Sequence, residues 1–125
     1  MSITNLLLRY GKLKTITRPG PGMRIKGQWQ DNPAGNTQFP ATVSMQPFSL
    51  REMLLLEAGE RTRRWMWVYS DTALQTVIQP RQKGDRLTYQ DGTVFEIQNA
   101  ADFAEAAARL SLNHFKYKAA AIEQD

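Results

Sequence analysis

The 125-residue chain has no cysteine and a single histidine. The first absence excludes disulfides and thiolate metal sites, and the second leaves too few ligands for a zinc centre. A chain without disulfides suits folding in a reducing cytoplasm. No apolar run approaches the roughly 18–20 residues that a membrane-spanning helix needs, so no membrane partner is expected. The opening MSITNLLLRYGK has no basic stretch ahead of Leu6-Leu7-Leu8 and no small-residue cleavage site, so it does not read as a signal peptide. Also missing are a nucleophile elbow, a phosphate loop and a dinucleotide fingerprint. Gly20, Gly22 and Gly27 lie between strand-like runs, not at a strand-to-helix junction. His114 has no carboxylate or second histidine near it in sequence and reads as a structural residue. No catalytic, cofactor or metal role is expected.

What is present is ordinary in amount and uneven in distribution. The 42% hydrophobic and 22% charged fractions suit a soluble globular chain, and the length suits one domain over residues 1–125. The net charge is +4. Residues 1–30 hold six of the 16 bases and none of the 12 acids, which leaves the rest of the chain at −2. Of these bases, Lys12, Lys14, Arg18, Arg24 and Lys26 are candidates for electrostatic contact with DNA or with an acidic protein.

Residues 3–10 carry helix signals: Ser2 or Thr4 as cap, Gly11 as stop, and Leu6, Leu7 and Tyr10 on one face. So short a helix is marginal alone, so residues 1–11 are expected to dock as an arm, with Leu6, Leu7 and Tyr10 at a subunit interface. Lys12 to Thr17 alternates like a strand, and Arg18-Pro-Gly-Pro-Gly22 breaks it. Met23 to Gln30 reads as a second strand. Residues 31–38 are a loop by composition, expected to project, with Asp31, Asn32, Pro33, Gly35 and Asn36 as candidate lumen or partner contacts. Phe39 to Gln46 is the next strand, which Pro40 restricts to an edge or a strand start.

Beyond Pro47, Ser49 and Glu52 have the spacing of a capping box for a helix over Leu50–Glu57, with Leu50, Met53 and Leu54 on one face and Gly59 as its stop. Arg61 to Ser70 is the strongest strand. Trp65, Trp67 and Tyr69 share one face, and Arg64, Met66 and Val68 the other. With apolar groups on both faces, it is expected to be central or covered by a neighbouring subunit. Trp65, Met66 and Trp67 are therefore candidate interface residues, while the alternation also places Trp67 in the core. Residues 71–80 are ambiguous. Asp91-Gly92 between two alternating runs predicts a two-residue hairpin with positive φ at both turn positions. Asn99 can cap a helix over residues 101–110, and Asn113 to Ile122 alternates as a half-exposed strand. The sum is a mainly β chain with short helices (β + α): a small six-stranded barrel or compact sandwich covered by two or three helices.

Several segments, taken in order, resemble the head-closure proteins of tailed bacteriophages, also called head–tail connector, stopper or neck proteins. They are Met45-Gln46-Pro47, the Leu50-Arg51-Glu52-Met53-Leu54 helix, Glu57-Ala58-Gly59-Glu60-Arg61-Thr62 and Trp67-Val68-Tyr69-Ser70. Gly84-Asp85-Arg86-Leu87-Thr88-Tyr89, Gly92-Thr93-Val94-Phe95-Glu96-Ile97 and His114-Phe115-Lys116-Tyr117-Lys118-Ala119 complete the series. The pattern spans about 80 positions. It departs from the family at Asn113, where glycine is common, in the longer helix over 101–110, and in the basic first 30 residues. The resemblance implies a small barrel that forms a homo-oligomeric ring of six or twelve copies in the virion neck. Such a ring extends the DNA channel below the portal, retains packaged genome and offers the tail its attachment surface. Its partners would be further copies of itself, a portal or adaptor ring, tail terminator or tail tube proteins, and double-stranded DNA touched without sequence preference. The alternatives are a tail-completion ring, or a non-catalytic nucleic-acid-binding barrel in which Trp29, Trp65 and Trp67 stack on bases.

Overall fold

Antiparallel pairing closes six strands on themselves. A computed structural model describes residues 11–30, 35–79, 82–100 and 115–122. In chain order these form β1 (Lys12–Arg18), β2 (Met23–Ile25), β3 (Gln28–Gln30), β4 (Thr37–Pro47), helix α1 (Leu50–Leu54) and a 3-10 turn (Glu60–Thr62). Then come β5 (Trp65–Ser70), β6 (Arg86–Thr88), β7 (Val94–Ala100) and β8 (Phe115–Ala121). Around the barrel the order is β1-β4-β5-β8-β7-β6, while among the described residues β2 and β3 pair only with each other. The expected barrel is therefore present. Among the described residues, α1 and the 3-10 turn are its only helical pieces. The helices expected over 3–10 and 101–110, and His114, lie outside the described residues.

The core follows from the two-residue period of the strands. Val43 and Met45 of β4, Met66 and Val68 of β5, and Phe95 and Ile97 of β7 all point inward. Ile16, Leu87, Tyr117 and Ala119 complete the filling from β1, β6 and β8. A barrel of this size is packed solid by side chains and has no open lumen of its own. β4 is long because it serves two neighbours: β1 along Thr37–Val43 and β5 along Val43–Pro47. Pro40 falls where β4 has β1 on one side and no strand pairing on the other, which is where a residue without an N–H is tolerated.

Closure is weakest between β1 and β6, which pair only at Thr17↔Arg86. Side chains reinforce this seam. The Arg18 guanidinium grips the fully buried Asp85 carboxylate with two bonds, Nε to Oδ1 at 2.9 Å and Nη2 to Oδ2 at 2.8 Å. The Gln75 amide donates a third bond to Asp85 at 2.8 Å. Backbone bonds from Asp85 to Gln75 and from Ile97 to Asp85 tie the same residue to the 71–79 segment and to β7. Lys14 Nζ donates to the Thr88 carbonyl across the seam at 2.9 Å. Next to the clamp, the Tyr117 hydroxyl inside the barrel accepts from the Leu74 amide at 2.9 Å, and burial pushes its pKa up. Gly84 is fixed by close approach: a Cβ there would lie 2.0 Å from the Ile97 carbonyl oxygen.

Four local expectations are corrected. Met23 to Gln30 is not one strand but a hairpin. Lys26 and Gly27, at φ 51 and 79, supply the two left-handed residues of its tight turn. The Asp91-Gly92 hairpin has a three-residue connection, because Tyr89 and Thr93 still pair; of the turn residues only Gly92 has positive φ. The loop over 31–38 gives up Thr37 and Gln38 to β4. The helix stops at Leu54, three residues short of Glu57: the Leu55 and Leu56 amides bond only three residues back, to Glu52 and Met53, and Arg61 bonds the Leu54 and Leu56 carbonyls left free.

Two substitutions test the seam in thermal melts. Arg18→Met leaves a buried carboxylate without its cation and is expected to cost about 3 kcal/mol, whereas Arg24→Met on the exposed hairpin should stay within about 0.5 kcal/mol. Gly84→Ala drives a methyl group into backbone and should cost about 1–3 kcal/mol or more. A melt unchanged by either Arg18→Met or Gly84→Ala would refute the seam as described.

Candidate functional site

Two surfaces stand out, at opposite ends of β4. The first is built around α1. The helix is five residues long and depends on its caps. At its start the Ser49 hydroxyl accepts from the Glu52 amide at 3.2 Å, and the Glu52 carboxylate accepts from the Ser49 amide at 2.9 Å. The predicted capping box is therefore formed. No residue of α1 is buried, and Leu50, Leu54 and Leu55 are 78%, 59% and 80% exposed. Leu50 and Leu54, which share the predicted apolar face of the helix, are thus presented outward, as is Leu55.

Beneath the helix, Phe48 and the outer face of β5 form an aromatic annex to the barrel. The Phe48 ring stacks on Trp67 at 4.6 Å between centroids and on Trp65 at 6.0 Å. The Trp65 indole donates to the Glu60 carbonyl at 2.8 Å and is almost wholly covered by its own chain. The Trp67 indole donates to the second Glu52 carboxylate oxygen. Lys116 of β8 sits over the Trp67 ring at 4.1 Å and over Tyr69 at 5.4 Å. Burial opposes the charge on Glu52, but the bonds from the Ser49 amide and the Trp67 indole outweigh it and hold its pKa below the ordinary value.

The second surface is the β2–β3 hairpin. All six of its strand residues are exposed, with Met23, Ile25 and Trp29 at 43%, 39% and 41%. Register places Arg24 opposite Trp29 on one face, and Met23 and Ile25 with Gln30 and Gln28 on the other. Among the described residues its strands pair only with each other, and a two-stranded hairpin alone is marginally stable in water.

These surfaces redistribute the residues singled out from sequence. Met66 is fully buried inside the barrel and is corrected from interface to core, because β5 alternates Met66 and Val68 inward. Trp67 is corrected the other way: it lies half-buried on the outer wall. Trp65 is covered intramolecularly. Among the bases, Arg18 and Lys14 are committed to the seam and are not free contacts. Burial, aided by Lys12, lowers the Lys14 pKa. Lys12 and Lys14 also line a shallow cleft of about 190 Å³ with Tyr89 and Gln90. Lys12, Arg24 and Lys26 stay exposed. Of the expected projecting loop, Gly35 and Asn36 lie against Gly20, whose amide donates to the Asn36 side chain at 3.0 Å. Leu6, Leu7, Tyr10, Asp31, Asn32 and Pro33 lie outside the described residues. Sequence reading missed the hairpin itself; the Lys26-Gly27 pair between two alternating triplets was its signal.

Among the described residues no group of three His, Cys, Asp or Glu side chains is placed to hold a metal ion, and no helix is long and apolar enough to cross a membrane. No protein-family model matches the chain, and no curated protein matches it.

The Glu52–Trp67 contact makes a pH prediction. The folded-state pKa of Glu52 is depressed, so its contribution is present above the unfolded value of about 4.3 and is lost as pH falls through the folded value. The Trp67 indole N–H resonance should shift with a midpoint below about 4.3, and the Glu52→Gln variant should abolish that titration. A midpoint at or above the ordinary glutamate value would contradict the bonding described.

Proposed function

We propose that the chain is a structural subunit of the head–tail neck of a tailed bacteriophage, assembling side by side into a ring that extends the DNA channel below the portal. One observation carries the reading beyond the resemblance. The six-stranded sheet is closed and its interior filled, yet among the described residues a leucine-bearing helix and an apolar hairpin are exposed. A finished monomer has no use for two such surfaces, whereas a ring subunit needs one for each neighbour. The arrangement supports a binding role. Packaged DNA, the portal or adaptor ring and the tail proteins are the partners this role supplies.

Co-expression with the portal protein of the same phage tests the role by electron microscopy. Rings of six or twelve copies seated on the portal are the expected outcome. A chain that stays monomeric beside portal and tail proteins would remove the proposal. Tight DNA binding at physiological salt that weakens steeply as salt rises would favour the nucleic-acid-binding barrel instead.

A further inference from the structure

We infer that the cleft at the Lys12 end of the β1–β6 seam binds one phosphate-type oxyanion, held by Lys12 and Lys14 on one wall and by Tyr89 and Gln90 on the other. The inference goes beyond the ring reading and stands without it. The cleft follows from how the barrel closes. β1 and β6 pair only at Thr17↔Arg86, so the two strands part toward Lys12, and β6 ends at Thr88. β1 itself begins at Lys12, opposite Val43, while β4 runs on to Pro47 beside β5. The notch between the start of β1, the Ser44–Gln46 stretch of β4 and the Tyr89-Gln90 exit from β6 measures about 190 Å³. Sites for drug-sized ligands run to roughly 300–1,000 Å³, so this one suits a single functional group.

The charge of the cleft is one-sided. By the two-residue strand period, Lys12 and Lys14 share the face of β1 that carries the buried Ile16. Lys14 does not sweep the solvent: it spends one of its three donors on the Thr88 carbonyl at 2.9 Å, which fixes the ammonium in the wall and leaves two. Lys12 is exposed and, among the described residues, has no hydrogen-bond or ion-pair partner. No residue lining the cleft is acidic. The acids of the adjoining segments are engaged elsewhere. Asp91, next to Gln90, is held by Arg64 and the Thr93 amide, which bring its pKa down to about 2. Asp71 accepts from the Thr42 amide and the Thr72 hydroxyl. Burial, and then the charge of Lys12, lowers the Lys14 pKa, and an anion between the two ammonium groups removes the second cause. On the far wall the Tyr89 hydroxyl accepts from the Gln90 amide at 3.3 Å and keeps its own proton to donate. Two point charges and a hydroxyl spread over two walls suit a tetrahedral anion with several oxygens, whereas a planar carboxylate is best met by the fork of an arginine.

An NMR titration of the full chain at constant ionic strength and about pH 8, where phosphate-type groups are dianions, tests the site, with inorganic phosphate as probe and acetate as comparison. Phosphate should move the Lys12 and Lys14 side-chain signals and the Tyr89 and Gln90 amide signals along one saturable curve. Lys12 and Gln90 are exposed, so Lys12→Gln and Gln90→Glu should keep the dispersed spectrum of the wild type. Lys12→Gln should weaken phosphate about tenfold, the worth of one charge-assisted bond. Gln90→Glu should abolish saturation by putting a carboxylate in the cleft, and Lys26→Gln on the hairpin should bind like the wild type. The inference is overturned by a wild type that phosphate does not saturate, by an affinity that Lys12→Gln leaves untouched, or by an equal loss in Lys26→Gln. Acetate that saturates the same signals as readily as phosphate overturns it too, because the site would then be one for carboxylates. A short DNA duplex separates two sources of the bound group, each of which upholds the site. Saturation of the same signals at lower concentration than free phosphate assigns it to a nucleic-acid backbone, and unmoved signals assign it to a free phosphate compound.

Discussion

The Arg18–Asp85 clamp is the constraint on which the rest of the structure depends. A closed barrel has no free edge, but this one is joined between β1 and β6 by a single residue pair. Without reinforcement those strands would be two edges, open to strand addition from other chains. The buried carboxylate converts a thin seam into a junction of three segments, because Arg18, Gln75 and Ile97 all bond to Asp85. Burying a charge is costly unless it is paired and hydrogen-bonded, and here both conditions are met. Arginine suits the role because its planar fork meets both carboxylate oxygens at once, which a lysine ammonium does not do.

The two faces of β5 do different work. Inside, Met66 and Val68 pack with Phe95, Ile97 and Tyr117. Outside, Trp65 and Trp67 bind the connecting segment 48–62 to the wall through Phe48, Glu52 and Glu60. The aromatic side chains are therefore largely satisfied within the monomer. That changes which residues remain for partners. The large apolar groups left in water include the α1 leucines and the hairpin residues, while Met66 and Trp65 are hidden.

Much of this was legible in the sequence. Alternation located β1, β4, β5, β7 and β8 to within a few residues, and the Ser49–Glu52 spacing located the start of α1. Both are local signals carried by side-chain period and cap chemistry. The failures share a different cause. Lysine is not a usual left-handed turn residue, so the Lys26-Gly27 turn was hidden inside an apparently continuous run. The choice of inward face on β5 was undetermined because both faces are apolar; burial of Met66 and stacking of Trp67 on Phe48 settle it only in three dimensions. The clamp joins residues 67 apart in the chain, and no local pattern marks Arg18 as different from Arg24. Of the candidate surfaces, the leucines of α1 were visible as a stripe, but their exposure was not, since a five-residue helix over an aromatic annex has no core of its own to enter.

Placing the bases also changes how the basic N-terminal third reads. Read as a run, the bases of residues 1–30 suit contact with DNA or with an acidic protein. In the fold, Lys14 and Arg18 face inward across the seam, and Lys12, Arg24 and Lys26 remain exposed. Dedicated duplex binders neutralise about 6–10 phosphates, and the salt dependence of affinity scales with that number. Of the three exposed bases, Arg24 and Lys26 are set among methionine, isoleucine and tryptophan on a hairpin. Charge interleaved with apolar surface is the composition of a protein contact, where a few cations orient an encounter and the apolar groups hold it.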